Sequence, residues 1–278
     1  MVENRHEAPI VEVGYRSRID GLPVEILDLA DTRSRLMLVV ERLSFHLMIW
    51  CLDGRGTHQV DFDDIELGPR RVLLLRPGQV HRWQADGAYD ARMLLFEGSP
   101  TLDDDGWFPG RSAAVVFDLD EEHWAAGMRT LDEIAWEQER FDPEGSVPVL
   151  SALRDVAVAR VLRWGPSSSA GRLPRPYVEF REAIEEHLGE HREVVSYAEL
   201  LGYSARTIDR ACRAAVGLGA KRVLDERVAL EARRSLAHST APVEVIGRSL
   251  GFTEATNFTK FFRRVMGVTP SEFRTATA

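Results

Sequence analysis

The chain has 278 residues, 44% hydrophobic and 28% charged, an ordinary globular composition and a length that suits two domains. No run approaches eighteen uninterrupted apolar residues and Met1 to Glu7 lack the apolar segment of a signal peptide, so a cytoplasmic chain with no membrane partner is expected. The net charge of −9 is unevenly placed: residues 172–278 hold 17 Lys and Arg against 14 Asp and Glu (+3), and residues 1–171 hold 18 against 30 (−12). The acid therefore lies away from the C-terminal third, and local field matters more than net charge for an anionic partner. Two cysteines, Cys51 and Cys212, exclude a disulfide framework.

From Val11 to about Phe117 the pattern is short strands and turns. Phe45 to Cys51 is strand-like and closed by Asp53-Gly54-Arg55-Gly56. Thr57 to Phe62 alternates, with His58, Val60 and Phe62 on one face. Arg71 to Leu75, His81 to Trp83, Arg92 to Phe96 and Ala113 to Phe117 complete a series divided by Gly, Pro and Asp. Short strands at such spacing predict a sandwich or barrel. Gly54-x-Gly56-Thr57-His58, and Gly68 followed by Pro77-Gly78-Gln79-Val80-His81, resemble cupin-like sensor barrels. An enzymatic cupin presents two close histidines, a carboxylate and a third histidine to a metal; here Val60 stands where one ligand is needed. The expectation is no catalytic residue, no metal and no cofactor. His46, Trp50, His58, Arg76, His81 and Trp83 are instead candidate effector-binding residues, the alternative being core packing or surface.

Two helical stretches follow. Asp120 to Arg140 carries Trp124, Met128, Leu131 and Ala135; Val147 to Trp164 carries Leu150, Leu153, Ala157, Val161 and Trp164. Both stripes have helical period and either pack on the barrel or form a dimer seam. Gly165 to Gly171 is a linker by composition. Tyr177, Phe180, Ile184 and Leu188 then mark one amphipathic helix.

The stretch Ser196 to Arg274 holds one short design twice. Ser196 with Glu199 reads as a capping pair, Gly202-Tyr203-Ser204 breaks the chain, and Ser204 caps a helix over Ala205 to Ala215. In the second copy Pro242 opens a helix reaching Leu250, Gly251-Phe252-Thr253 is the break, and Thr253 caps Glu254 to Met266. Helix, Gly-containing turn, helix is the helix-turn-helix pattern. Between the copies, Gly219 to His238 reads as one continuous helix roughly 30 Å long. Successive major-groove faces on one side of B-DNA lie ~34 Å apart, so such a rod suits two reading helices in adjacent grooves.

Gly251-Phe252, Phe258, Lys260, Phe262-Arg263-Arg264, Gly267-Val268-Thr269-Pro270 and Phe273-Arg274, with Arg227, Ala232 and Leu236 upstream, resemble the C-terminal signature of the AraC/XylS family of bacterial transcription regulators. Cys212 departs from it, standing where the family usually has a large apolar residue. The resemblance implies an α+β chain of two domains: a cupin-like β-barrel or jelly roll with trailing helices over 1–165, a linker over 166–176 and an all-α double helix-turn-helix over 177–278. It also implies double-stranded DNA as partner, a small-molecule effector at the barrel, a homodimer and contact with RNA polymerase. Ser204, Arg206, Thr207, Asp209, Arg210 and Arg213 in the first unit, and Thr253, Glu254, Thr256, Asn257, Lys260 and Arg263 in the second, are the DNA-binding candidates. Arg bridges guanine O6 and N7, Asp accepts from cytosine N4, and Asn pairs with adenine. Arg206, Asp209 and Arg210 match the family's base readers, while Arg213, Lys260, Arg263 and Arg264 suit phosphates. Two rival readings stay open: a metal-dependent cupin enzyme with a DNA-binding appendix, and an effector-independent regulator whose barrel only dimerises.

Overall fold

The computed structural model describes residues 10–31, 40–83, 88–99, 115–164 and 173–277. These fall into two compact units, residues 10–164 and 173–277. Helix begins at Arg175, inside the expected linker, whose residues 166–172 lie outside the described ones. Among the described residues no helix is long and apolar enough to cross a membrane.

The first unit is a curled pair of sheets. Its strands are β1 (Ile10–Val13), β2 (Val24–Asp28), β3 (Val40–Leu43), β4 (His46–Val60), β5 (Asp63–Leu67), β6 (Arg71–Leu75), β7 (Val80–Trp83), β8 (Ala88–Phe96) and β9 (Val115–Asp118). The two expected strands at 45–51 and 57–62 are one long strand. The glycines that read as a turn sit instead at a bend: the register slips between Cys51 and Asp53, and Gly54 takes φ 77°. Bulge and glycine let β4 turn from one sheet into the other without breaking. Its first half pairs with β8 and β6, its last residues with β5 and β7. Among the described strands only β1 and β3 run parallel. Leu47, Ile49, Cys51, Leu73, Leu75, Trp83, Tyr89 and Met93 meet in the core between the sheets.

Two helices cover this unit, α1 (Glu121–Glu139) and α2 (Ser146–Trp164). Asp120 caps α1 by accepting from the His123 N–H at 2.8 Å. The buried face of α1 is Gly127, Thr130, Leu131 and Ile134, turned one step from the expected stripe. The turn is set by Trp50, which projects from β4 toward α1. A Cβ on Gly127 would come 2.5 Å from its ring, so only glycine fits there. Gln138 of α1 closes the edge of β2, accepting from the Ile26 N–H at 2.7 Å and donating to Ile26 O at 3.2 Å.

The second unit is helical: α3 (Arg175–Glu186), α4 (Val194–Leu201), α5 (Ala205–Val216), α6 (Ala220–His238), α7 (Val243–Ser249), α8 (Ala255–Met266) and α9 (Pro270–Thr277). The duplication extends past the reading helices. Gly217 ends α5 and Gly267 ends α8, both left-handed at φ 72° and 82°, and α6 and α9 begin three residues after each. Ile208, Ala211 and Cys212 are the buried face of α5; Phe258, Phe261 and Phe262, fifty residues on, are that of α8. Both faces join one core through Leu224, Val228, Ala232 and Leu236 of α6.

Two expected caps are displaced. Helix α4 starts at Val194 with Glu193 at its cap, leaving Ser196 inside it, because Val194 and Tyr197 both pack on the core. Helix α8 starts at Ala255 with Glu254 at its cap and no side-chain cap bond, so Thr253 is an exposed turn residue. The second break, 250–254, is two residues longer than the first, 202–204, and in it Phe252 folds back onto Phe258 and Phe261, with ring centroids 5.3 and 5.1 Å away.

Candidate nucleic-acid interface and barrel interior

Each reading helix has one buried and one exposed face. On α5, Ser204 caps the helix, accepting from the Thr207 N–H at 3.0 Å, and the two hydroxyls lie 2.8 Å apart. Arg206 and Arg210 are exposed and make no hydrogen bond or ion pair among the described residues. Asp209 is differently placed. Its Oδ2 accepts from Arg213 Nε at 2.8 Å and its Oδ1 from the Ala220 N–H at 2.9 Å. These hydrogen bonds hold its carboxyl below the usual range. The Ala220 N–H is one of the unpaired donors at the start of α6, so Asp209 caps that helix from α5. A Cβ on Gly219 would lie 2.8 Å from Asp209 Oδ1, so the staple needs glycine there. Asp209 and Arg213 thus carry structural bonds that base or phosphate contacts would have to displace.

On α8, Thr256, Asn257, Lys260, Arg263 and Arg264 are exposed, as are Thr253 and Glu254 before it. Thr256 Oγ1 donates to Glu254 Oε2 at 3.3 Å. Asn257 and Lys260 stand where Thr207 and Arg210 stand in the first copy, fifty residues earlier.

An ion network ties both units to the rod α6. The Asp225 side chain is 3% exposed and accepts from Arg264 Nη2 of α8 at 2.9 Å, with Lys221 Nζ at 3.1 Å and Arg192 Nη2 at 3.8 Å. Arg192 also lies over the rings of Phe252 and Phe261, 4.3 and 4.8 Å from their centroids. Arg227 grips Glu185 of α3 with Nε and Nη2 and reaches Glu231 at 3.2 Å. Burial alone would push the Glu185 carboxyl up, but the Arg227 charge holds it below its ordinary value. Arg274 donates to Ala241 O at 2.7 Å, fastening α9 to the start of the second unit. The signature residues Arg227, Phe252, Phe258, Phe262 and Arg274 are therefore framework, none of them on the exposed reading faces.

The barrel interior holds a polar nest. His58 Nε2 and His81 Nδ1 are 3.1 Å apart, Tyr89 Oη is 3.5 Å from His58 Nδ1, and His81 Nε2 is 3.7 Å from Glu41 Oε2. The Trp83 ring meets His58 edge-on at 4.6 Å. Ladder register makes the cluster: Glu41 faces His81 across β3 and β7, and His58 faces Trp83 across β4 and β7. Val60 lies directly opposite His81. In the proton order that turns an N–H toward the Glu41 carboxylate, Tyr89 donates to His58, His58 to His81, and His81 Nε2–H faces Glu41. Burial lowers His81 to about 4 and His58 well below the ordinary imidazole range, the neighbouring His81 adding to the latter. Burial also pushes the Glu41 carboxyl up to about 7. Both imidazoles are therefore uncharged at neutral pH. Among the described residues His81 Nε2 and Trp83 Nε1 are buried without a hydrogen-bond partner, and in this proton order both are donors.

Of the six expected effector residues, the fold brings three together: His58, His81 and Trp83. His46 and Trp50 point to the other side of β4, where His46 stacks on Phe96 and meets Glu97 O at 2.7 Å, and Trp50 packs on Trp124 at 5.6 Å. Arg76 sits in the turn after β6, its main-chain N–H donating to Gln79 Oε1 at 2.8 Å. Glu41 and Tyr89 were missed; period-two alternation along their strands is the only sequence signal that marks them.

Comparison with known proteins matches residues 197–276 to a helix-turn-helix domain family and residues 40–137 to an AraC-like ligand binding domain family. The HTH-type transcriptional activator RhaS of Escherichia coli (strain SE11) is 31% identical over 239 residues, 83% of this chain and 85% of RhaS. Among solved structures, ToxT from Vibrio cholerae O395 aligns over 85% of this chain and 91% of its own at TM-score 0.42 and 11% identity. The DNA-binding domain of AdpA, solved in complex with a target DNA, aligns over 37% of this chain and 93% of its own at TM-score 0.34 and 30% identity.

Proposed function

The chain belongs to the AraC family of helix-turn-helix transcription regulators, and we propose that it reads two adjacent major-groove segments of duplex DNA under the control of a small effector in its barrel. The observation that carries the DNA half is the doubled reading helix on one rod. Arg206 and Arg210 have no other bond to break among the described residues, which favours them as base readers. In the second unit Asn257, at the position of Thr207, is the base reader for adenine. Lys260 and Arg263 line the outer edge of α8 and meet phosphates, which position the protein without specifying sequence, while Arg264 stays with Asp225 of the rod. Asp209 serves the α5–α6 junction and Arg213 rather than a cytosine. Ser204 and Thr207 remain the contacts for a phosphate at the start of α5.

The barrel half rests on the nest. Buried donors without acceptors are costly, and a ligand carrying acceptor oxygens repays that cost at His81 Nε2 and Trp83 Nε1. Glu41 beside them takes a hydroxyl donor. His58 and His81 spend their facing nitrogens on each other, and Glu41 lies at the far nitrogen of His81, so the three do not aim at one metal position. Val149 and Val156, seven residues apart on α2 and 45% and 41% exposed, give two copies a face on which to pair as a homodimer.

A compound screen on the full chain tests the effector. All six tryptophans precede residue 166, so tryptophan fluorescence reports the unit that holds the barrel. A true effector raises that unit's unfolding midpoint and shifts DNA affinity, and both effects vanish in His81→Ala. Stabilisation that survives His81→Ala puts the effector elsewhere; sedimentation of Val156→Glu in the same series reports the pairing.

A further inference from the structure

After α3 the chain reads His187-Leu188-Gly189-Glu190-His191. This segment is a helical turn: the Glu190 and His191 N–H groups both donate to His187 O, at 3.0 and 3.2 Å. The turn stacks the two histidines four residues apart, ring centroids at 5.7 Å, and lays Glu190 Oε2 2.8 Å from His187 Nδ1. One ligand atom from each of His187, Glu190 and His191 lies within 4.8 Å of the other two. Around a tetrahedral zinc-type ion with bonds near 2.1 Å, ligand atoms stand about 3.4 Å apart, so small side-chain rotations close the set. Among the described residues it is the single grouping of three His, Cys, Asp or Glu side chains with this spacing.

The donor set selects the ion. Two imidazoles and one carboxylate suit zinc and its borderline neighbours, whereas calcium and magnesium want oxygen throughout. Two histidines at i and i+4 on a helical turn chelate from one face.

The frame around the turn is stiff and joins both reading units. Tyr197 of α4 donates its hydroxyl to His187 O at 3.1 Å and to His191 O at 3.3 Å, and the His191 ring meets the Tyr197 ring edge-on. On the other side, a Cβ on Gly189 would lie 2.5 Å from Ser249 O, and one on Gly251 would lie 2.8 Å from Gly189 O. One turn thus touches α4 of the first unit and the break of the second.

We propose that His187, Glu190 and His191 bind one divalent cation of the zinc class, and that its occupancy clamps the two helix-turn-helix units to each other. The site is independent of the barrel and departs from the expectation of no metal, which weighed the barrel histidines alone.

The test uses the full chain, made without an affinity tag and dialysed against zinc chloride alone. One zinc per chain binds at micromolar free zinc. Replacing a residue behind a metal's ligands already costs about 10–100-fold, so His187→Gln with His191→Gln weakens binding by at least about tenfold. Glu190→Gln, which keeps both rings, also weakens it and guards against a misfolded double variant. Zinc slows hydrogen exchange both around Tyr197 and at Ser249 to Gly251. No saturable uptake in that range, or uptake that survives all three substitutions, overturns the site; binding with unchanged exchange at Ser249 to Gly251 overturns the clamp.

Discussion

Replacing Asp225 with Ala lowers the stability of residues 172–278 by about 3 kcal/mol, a large part of the 5–15 kcal/mol typical of a domain. Removing one partner of a buried ion pair costs about 3–5 kcal/mol, because the remaining charge stays buried without compensation. Lys221 and Arg264 are 52% and 60% exposed and turn to water once the carboxylate is gone, which brings the cost to the low end. Arg192, 16% exposed and held over two phenylalanine rings, is left with the larger penalty. For a domain of this size the loss lowers the melting midpoint by roughly 10–20 °C. DNA affinity falls with it, because Arg264 is the link between α8 and the rod. Circular dichroism melting of the domain measures the shift. A change under about 0.5 kcal/mol, the level of an ordinary surface substitution, would show that Asp225 does not hold the units together.

Arg210→Ala and Lys260→Ala fail in different ways although they are equivalent positions of the two copies. Arg210 is an exposed guanidinium on the outer face of α5 with no partner among the described residues, and its planar fork matches guanine. Its loss relaxes preference at one base pair by roughly 1–3 kcal/mol. Lys260 is a point charge without fixed geometry, suited to a phosphate. Its loss weakens every sequence alike and lowers the slope of log affinity against log salt by about 1. Selection of bound sequences from a random pool, repeated at two salt concentrations, separates the two. Matching selectivity profiles would remove the assigned roles.

The C-terminal unit was legible because its information is local. Glycine at each break and after each reading helix, the Ser204 cap and the fifty-residue offset all act within a few residues of where they are written. The misplaced caps show the limit of local signals. Ser196 and Thr253 are good capping residues, but Val194 and Phe252 gain more by packing, and the helix starts follow the packing. The barrel was legible as strands and illegible as a site. Gly54 and Gly56 read equally well as a turn or as a bend, and only pairing with β5 and β8 decides between them. Glu41 enters the nest because ladder register sets it opposite His81, forty residues on, and no motif records that. Asp209 carries the same lesson in reverse: its spacing on α5 suits a base, while its partner, the Ala220 N–H, appears only once the chain turns at Gly217.

Reading two grooves with two units requires a rod of fixed length and register. Helix α6 has 19 residues, about 28 Å at 1.5 Å each. The rod stays in register because α3, α5 and α8 are fixed to it by Arg227 with Glu185, Asp209 with Ala220, and Arg264 with Asp225. A shorter or looser connection would let the second reading helix drift from the next groove, which lies about 34 Å along the same face. The most direct measurement is hydroxyl-radical and methylation footprinting of residues 172–278 on a selected operator. Two protected major-groove segments, about one helical turn apart on one face of the duplex, are the predicted result. Protection of a single segment, unchanged when α8 is altered at Asn257 and Lys260, would contradict it.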